Sequence, residues 1–168
     1  LAKALHGDTD HRYEITAEVT DASRRTIVGQ GAVLVARQPF KVYAWVDRGH
    51  YRVGDTVQAE FSTRTLDRRP VPGSGALTLY RVTYRDGEAV ETAVQTWSLD
   101  MGVEGRARQS IQASQAGQYR LSCRVRDARG NEVEGGYVYL VRGDGFDGRE
   151  FRFNQLELTP DRREYAPG

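Results

Sequence analysis

The chain is poor in the residues that staple or anchor a protein. Its single cysteine, Cys123, excludes an internal disulfide, so stability has to come from packing and strand pairing. That usage fits the cytosol, or a periplasmic chain that does without bridges. No apolar run approaches the length of a membrane span, and no leader pattern opens the chain. Since the sequence reads as beginning inside a module, the missing leader says nothing about where the parent polypeptide resides. Excess charge of one sign is also lacking. With 24 basic and 23 acidic residues the net charge is +1, and no charge block marks a nucleic-acid or membrane-surface footprint. Apolar residues at helical spacing are hard to find, while 18 glycines and 9 tyrosines are present. That profile is all-β.

What the chain does have is repetition. Asp47-Arg48-Gly49-His50-Tyr51-Arg52-Val53-Gly54-Asp55 returns as Asp161-Arg162-Arg163-Glu164-Tyr165-Ala166-Pro167-Gly168, an offset of 161 − 47 = 114. Tyr13-Glu14-Ile15-Thr16-Ala17-Glu18-Val19-Thr20-Asp21-Ala22 is echoed by Tyr119-Arg120-Leu121-Ser122-Cys123-Arg124-Val125-Arg126-Asp127-Ala128, an offset of 119 − 13 = 106. Two echoes at similar spacing point to tandem modules of about 105–115 residues, the size of a β-sandwich. The first motif then reads as the corner that opens each module, with Gly reversing the chain.

Alternation assigns the elements. Residues 1–12 read as a frayed start. Tyr13, Ile15, Ala17 and Val19 share one face of a strand that returns through Asp21–Arg25 as Thr26–Val35. Residues 1–37 are therefore the last two strands of a preceding module. Residues 38–143 form a complete antiparallel sandwich of seven strands, near 40–46, 57–62, 76–85, 90–99, 106–113, 119–126 and 132–142. Leu66–Gly75, with Pro70, Pro72, Gly73 and Gly75, reads as a loop that strand pairing cannot use. Asp86-Gly87 is a hairpin turn. Residues 144–152 are a linker, and 153–168 hold the first strand of a following module. The unfinished strand edges at both ends are places where two copies could pair, as a product of truncation.

The search for chemistry returns little. Zinc-protease, paired-cysteine, phosphate-loop and nucleophile-elbow motifs are all missing, so no catalytic, cofactor-binding or metal-ligating residue is assigned and the segment is read as non-enzymatic. His6 and His11 lack a ligand cluster, and His50 falls in the corner, exposed. Cys123 faces inward as a small core hydrophobe. Asp144 and Asp147 resemble a fragment of a calcium loop without its distal acid, and Arg142-Gly143-Asp144 spells an adhesion tripeptide at a strand end. Trp45, Trp97, Tyr80 and Tyr84 read as filling or edging the core rather than as a stacking platform. Arg64, Arg68, Arg69, Arg120, Arg124 and Arg126 are interspersed with acids, which argues against a nucleic-acid partner.

The corner at 47–55, the loop Asp67–Gly73, the run Ala116–Leu121 and the terminal Leu158–Gly168 together resemble the macroglobulin-like domains of bacterial α2-macroglobulin family proteins. Val53 departs from the family corner, which usually has Pro there, as Pro167 does in the second copy. The resemblance implies a fibronectin-III-like sandwich acting as scaffold and interdomain relay in a periplasmic or extracellular protease trap, upstream of its bait segment. Its partners would be neighbouring macroglobulin domains and, through the whole protein, target proteases. The thioester motif of some members is not placed here, because Arg124-Val125-Arg126 follows Cys123. The rival expectation is a fibronectin- or immunoglobulin-like binding module of an adhesin or carbohydrate-active protein.

Overall fold

The computed structural model describes residues 9–144. Within them the protein is all-β, with ten strands: β1 (His11–Thr20), β2 (Thr26–Val35), β3 (Lys41–Val46), β4 (His50–Arg52), β5 (Thr56–Arg64), β6 (Gly73–Arg85), β7 (Glu88–Asp100), β8 (Arg106–Gln112), β9 (Gly117–Asp127) and β10 (Glu132–Arg142). Three sheets result: the hairpin β1-β2, the three-stranded β3-β5-β8, and the five-stranded β4-β10-β9-β6-β7.

The two larger sheets share one core. Val57, Ala59 and Phe61 of β5 alternate inward and meet Leu77 and Leu79 of β6 and Leu121, Cys123 and Val125 of β9. All are essentially excluded from solvent, and a buried aliphatic or aromatic side chain of this size stabilises the fold by about 1.5–3 kcal/mol. β8, whose Gln109 shares a face with Ala107 and Ile111, still pairs with β5 along seven residues. Asp86 and Gly87 both adopt positive φ, 53° and 84°, as a two-residue hairpin turn requires.

The structure departs from the sequence reading in several places. The span 38–143 holds eight strands rather than seven, because His50–Arg52 forms β4 and pairs in parallel with Leu140–Arg142. Three residues are too few to show an alternation, and the pairing comes from the corner around them. His50 is consequently half-buried, not exposed. β6 begins at Gly73, inside the expected loop, and pairs with β9 from Gly73↔Asp127 onward. Glycine is what allows this: a Cβ on Gly75 would overlap the Arg124 carbonyl oxygen. Pro70 forms a bridge with Arg64 on the way in. At the other end, His11 and Arg12 belong to β1 rather than to a frayed start. Between Leu79 and Tyr80 the β6–β7 register shifts, so Val94 of β7 has no opposite residue.

The second echo is realised in the backbone. β1 and β2 pair from His11↔Val35 to Thr20↔Thr26, and β9 and β10 pair from Gly117↔Val141 to Arg126↔Glu132. Adding 106 to each member of the first set gives the second. The turns repeat too. Asp21 Oδ1 accepts from the Ser23 and Arg25 amides at 2.8 and 2.9 Å, and Asp127 Oδ1 from the Arg129 and Asn131 amides at 2.9 and 2.8 Å. The corresponding Arg24 and Gly130 both lie at positive φ, 63° and 83°. These carboxylates, held by their donors below the usual range, are the local code for the loop.

The proposed linker beyond Asp144, the strand at 153–168, the second corner, His6 and Asp147 lie outside the described residues. Among the described residues, no helix is long and apolar enough to cross a membrane.

Gly75→Ala should cost about 1–3 kcal/mol through forced separation of β6 and β9. Urea unfolding of the two chains checks this, and an unchanged midpoint would contradict the close approach.

Candidate functional site

The corner at 47–55 gathers a dense set of polar contacts. Asp47 leaves the end of β3 and its Oδ1 accepts the Tyr51 hydroxyl at 2.6 Å and the Gln58 amide at 2.9 Å, while Oδ2 takes the Arg48 guanidinium at 3.3 Å. The Arg48 amide donates back to the Tyr51 hydroxyl at 3.0 Å, and the guanidinium lies 4.8 Å from the Tyr51 ring centre. Partial burial works to raise the Asp47 pKa, but the Tyr51 and Gln58 donors and the Arg48 charge win and hold it low. Burial, together with the Asp47 bond, drives the Tyr51 phenol well above its ordinary value. Asp55 accepts the Arg52 amide at 3.0 Å and faces Arg48 at 3.6 Å. Past it, Val53 donates to the Arg142 carbonyl at 3.0 Å, and Gly54, at φ 95°, donates to the Ala113 carbonyl at 2.8 Å.

Tyr51 is 1% exposed and meets Tyr139 edge-on at 5.5 Å, and Tyr139 stacks on Tyr119 at 5.7 Å. The corner is therefore a structural fastening. Its acid, arginine and phenol bond to one another, while the Asp47 and Arg48 side chains stay 40% exposed.

The six arginines singled out in the sequence separate into two groups. Arg64, Arg68 and Arg69 sit at the β5 end and the loop after it. Arg120, Arg124 and Arg126 alternate along the outer face of β9 and are met by three glutamates. Arg120 makes a two-pronged bond to Glu91 at 2.6 and 2.7 Å and a third to Glu134 at 3.1 Å, with its guanidinium over Tyr80. Glu134 also accepts Ser122 at 2.6 Å and Arg124 at 3.2 Å, and Glu132 accepts Arg126 at 2.9 Å. The Ser122 hydroxyl, then Arg120 and Arg124, hold the Glu134 pKa down against burial, and Glu91 raises that of Arg120. Three cations meet three anions, so this face offers no net positive field to a phosphate backbone.

Of the aromatics, Trp97 packs against the core, whereas Tyr80 and Tyr84 lie half-buried on the outer face of the large sheet. Trp45 corrects the core reading: with Tyr43 two residues earlier, it projects from the solvent side of β3, 39% and 48% exposed. Cys123 is fully buried, and burial pushes its thiol up to about 12, so it stays a neutral thiol at physiological pH. Arg142 closes β10 with its backbone bound to the corner. A Cβ on the next residue, Gly143, would press on Val53 and Ala116. Within the tripeptide Arg142 is half-buried, and Gly143 and Asp144 are exposed.

Two features escape sequence reasoning. Gln118 is 1% exposed, its amide nitrogen 3.5 Å from the Tyr84 hydroxyl, and its Oε1 has no hydrogen-bond partner. A shallow depression of about 310 Å³ lies on the β1-β2 hairpin beside Arg12, Glu14, Thr16 and Gln30. No group of three or more His, Cys, Asp or Glu converges as a metal site among the described residues.

No family model and no curated protein matches the chain. Among solved structures it is similar to the sporulation control protein Spo0M from Bacillus subtilis (11% identity, TM-score 0.43, 62% of this chain and 50% of that one). It thus spans half the length of Spo0M. It is also similar to a superoxide reductase, neelaredoxin, from Ignicoccus hospitalis (9% identity, TM-score 0.38, 61% and 83% covered) and to the adhesin InvE of Yersinia pseudotuberculosis (11% identity, TM-score 0.38, 78% and 48% covered). Likeness at this level carries no inference about activity.

Tyr51→Phe should lower stability by about 1–2 kcal/mol, since it strips a donor from Asp47 and an acceptor from the Arg48 amide. Chemical denaturation measures the difference. Glu134 titrates below its ordinary value in the folded state, so its contribution is complete above that value and fades as pH falls through the depressed one. Glu134→Gln should therefore be less stable than the parent sequence at pH 7, with the gap closing towards pH 3. A pH-independent gap would contradict the ladder.

Proposed function

We propose that residues 38–143 are a macroglobulin-like structural domain of a bacterial α2-macroglobulin-type protease trap, and that residues 1–37 and 153–168 belong to its neighbours in a tandem array. The domain acts as scaffold and relay: it holds adjacent domains at fixed angles and passes on their rearrangement, with no chemistry of its own. The observation that carries this reading is the repeated hairpin, alike in sequence, register and turn bonding at an offset of 106. Such a repeat is what stacked sandwich modules produce. The corner supports it, because its charged groups are consumed in holding the start of a module together. On this reading the protein works in the periplasm or outside the cell, among neighbouring domains and, through the whole assembly, target proteases.

A second reading, a binding module of an adhesin or carbohydrate-active protein, draws on the exposed Tyr43 and Trp45 beside Glu60 and Ser62 on β3 and β5. Adjacent exposed rings on a strand can stack on a sugar face. A hydrolase domain or cell-wall anchor in the same polypeptide would favour it.

Treating the full-length polypeptide with a protease decides between them. The trap should change its sedimentation on cleavage and shield the captured protease from large substrates while small ones are still cut. Unimpeded digestion of large substrates would sink the trap reading.

A further inference from the structure

The repeat has a physical asymmetry. Val125 and Val133 are 0% and 4% exposed on the core face of β9 and β10, while their counterparts Val19 and Ile27 are 66% and 74% exposed. Ile15, opposite Gly31, is 56% exposed where Leu121 is 0%. The β1-β2 hairpin thus carries an apolar face, bounded by Tyr13 and Val33 at one end, that no described strand covers. In the module the same face is covered by β3 and β5, β6 pairs antiparallel along β9, and β4 pairs in parallel along β10.

The glycines identify what is missing. A Cβ on Gly135 would overlap the backbone carbonyl oxygen of Val42, because β3 of the opposite sheet crosses β10 at that point. The corresponding residue of the hairpin is Gly29, where a Cβ would meet nothing within 4 Å. Nothing inside the hairpin requires glycine there, and glycine weakens a strand. Gly31, on the same face, corresponds to Tyr137, which carries a full side chain in the module. The two glycines are alike in the free hairpin and unlike in the covered one.

We propose that the β1-β2 hairpin is a docking surface for the remaining strands of a second sandwich of the same topology. That partner is a polypeptide that lays an antiparallel strand on β1 and a short parallel strand on β2, and presses the backbone of a β3-like strand against Gly29. This names the partner implied by the array reading, and it rests on the hairpin repeat alone. A second copy of the chain is not the occupant, because its β3–β8 strands are already closed by its own β9 and β10. Residues 1–8 and 145–168 together are shorter than the Lys41–Gln112 stretch that does the covering in the module, so the occupant lies outside these 168 residues.

Amide hydrogen exchange on the 168-residue chain and on the native full-length protein tests this. In the 168-residue chain, Tyr13–Val33 should exchange at least about 100-fold faster than Tyr119–Tyr139, as an uncovered hairpin does. In the native protein the two should be protected alike. Gly29→Val, which adds a strand-favouring side chain in open space, should restore fast exchange of the hairpin in the native protein, while Gly31→Val should leave it protected. Equally fast exchange in both settings would overturn the proposal, as would an equal response to the two valines. So would protection gained by the 168-residue chain through a dimer seen in sedimentation, or on added phospholipid vesicles. Failure of protease shielding with the Gly29 effect intact would defeat the trap reading and leave the docking surface standing.

Discussion

The carboxylate of Asp47 is the contact on which the rest of the sandwich depends. It ends β3, caps the Gln58 amide at the start of the β5 pairing, and receives the Tyr51 hydroxyl from β4. Without those donors a partly buried carboxylate would be costly, and with them it ties three strands from both sheets at one point. β4 exists because of this tie. Three residues would not hold a strand by pairing alone, yet the corner sets them beside β10 and places Tyr51 against Tyr139. The edge of the five-stranded sheet and the aromatic end of the core are thus fixed by the same group.

The outer face of the large sheet shows the opposite economy. Each glutamate of the Arg–Glu ladder comes from a different strand than its arginine, and the pairs exist only because the β9–β10 register puts Glu134 opposite Arg124 and the β6–β7 pairing carries Glu91 within reach of Arg120. In sequence those arginines stand among interspersed acids with no partner assigned to each. In space they form a neutral, hydrogen-bonded lattice whose Glu134 sits partly shielded and whose bonds weaken as acid protonates that carboxylate.

Local patterns were legible and contacts at a distance were not. Alternation placed β1, β5 and β9, and in β5 and β9 their inward residues, whereas Tyr13, Ile15 and Val19 of β1 are exposed. Asp-containing turns announced both repeated hairpins, since the turn is written within five residues. The start of β6 was hidden because Gly73 and Gly75 look like loop glycines. Their purpose appears only when β9 lies against them. Alternation through Val42 and Val46 put Trp45 on the opposite face, yet its size grouped it with the aromatics that fill or edge the core, and its exposure shows that the alternation was the better guide. At the candidate site, the corner's residues were visible from the first echo, but a group of Asp, Arg, His and Tyr resembles a site as much as a fastening. Only the bond partners of Asp47 and Tyr51 separate the two.

The shifted register at Val94 bears on how the molecule behaves in a crowded solution. A long flat border invites another chain to add itself, and β7, thirteen residues long, would be such an invitation if its pairing pattern ran unbroken. The interruption bends that border, and on the opposite side the sheet finishes in the three residues of β4. A register break on one side and a three-residue strand on the other thus blunt the two margins of the five-stranded sheet. The hairpin's pairing is regular over all ten pairs, so its two margins are unbroken where the large sheet's are not.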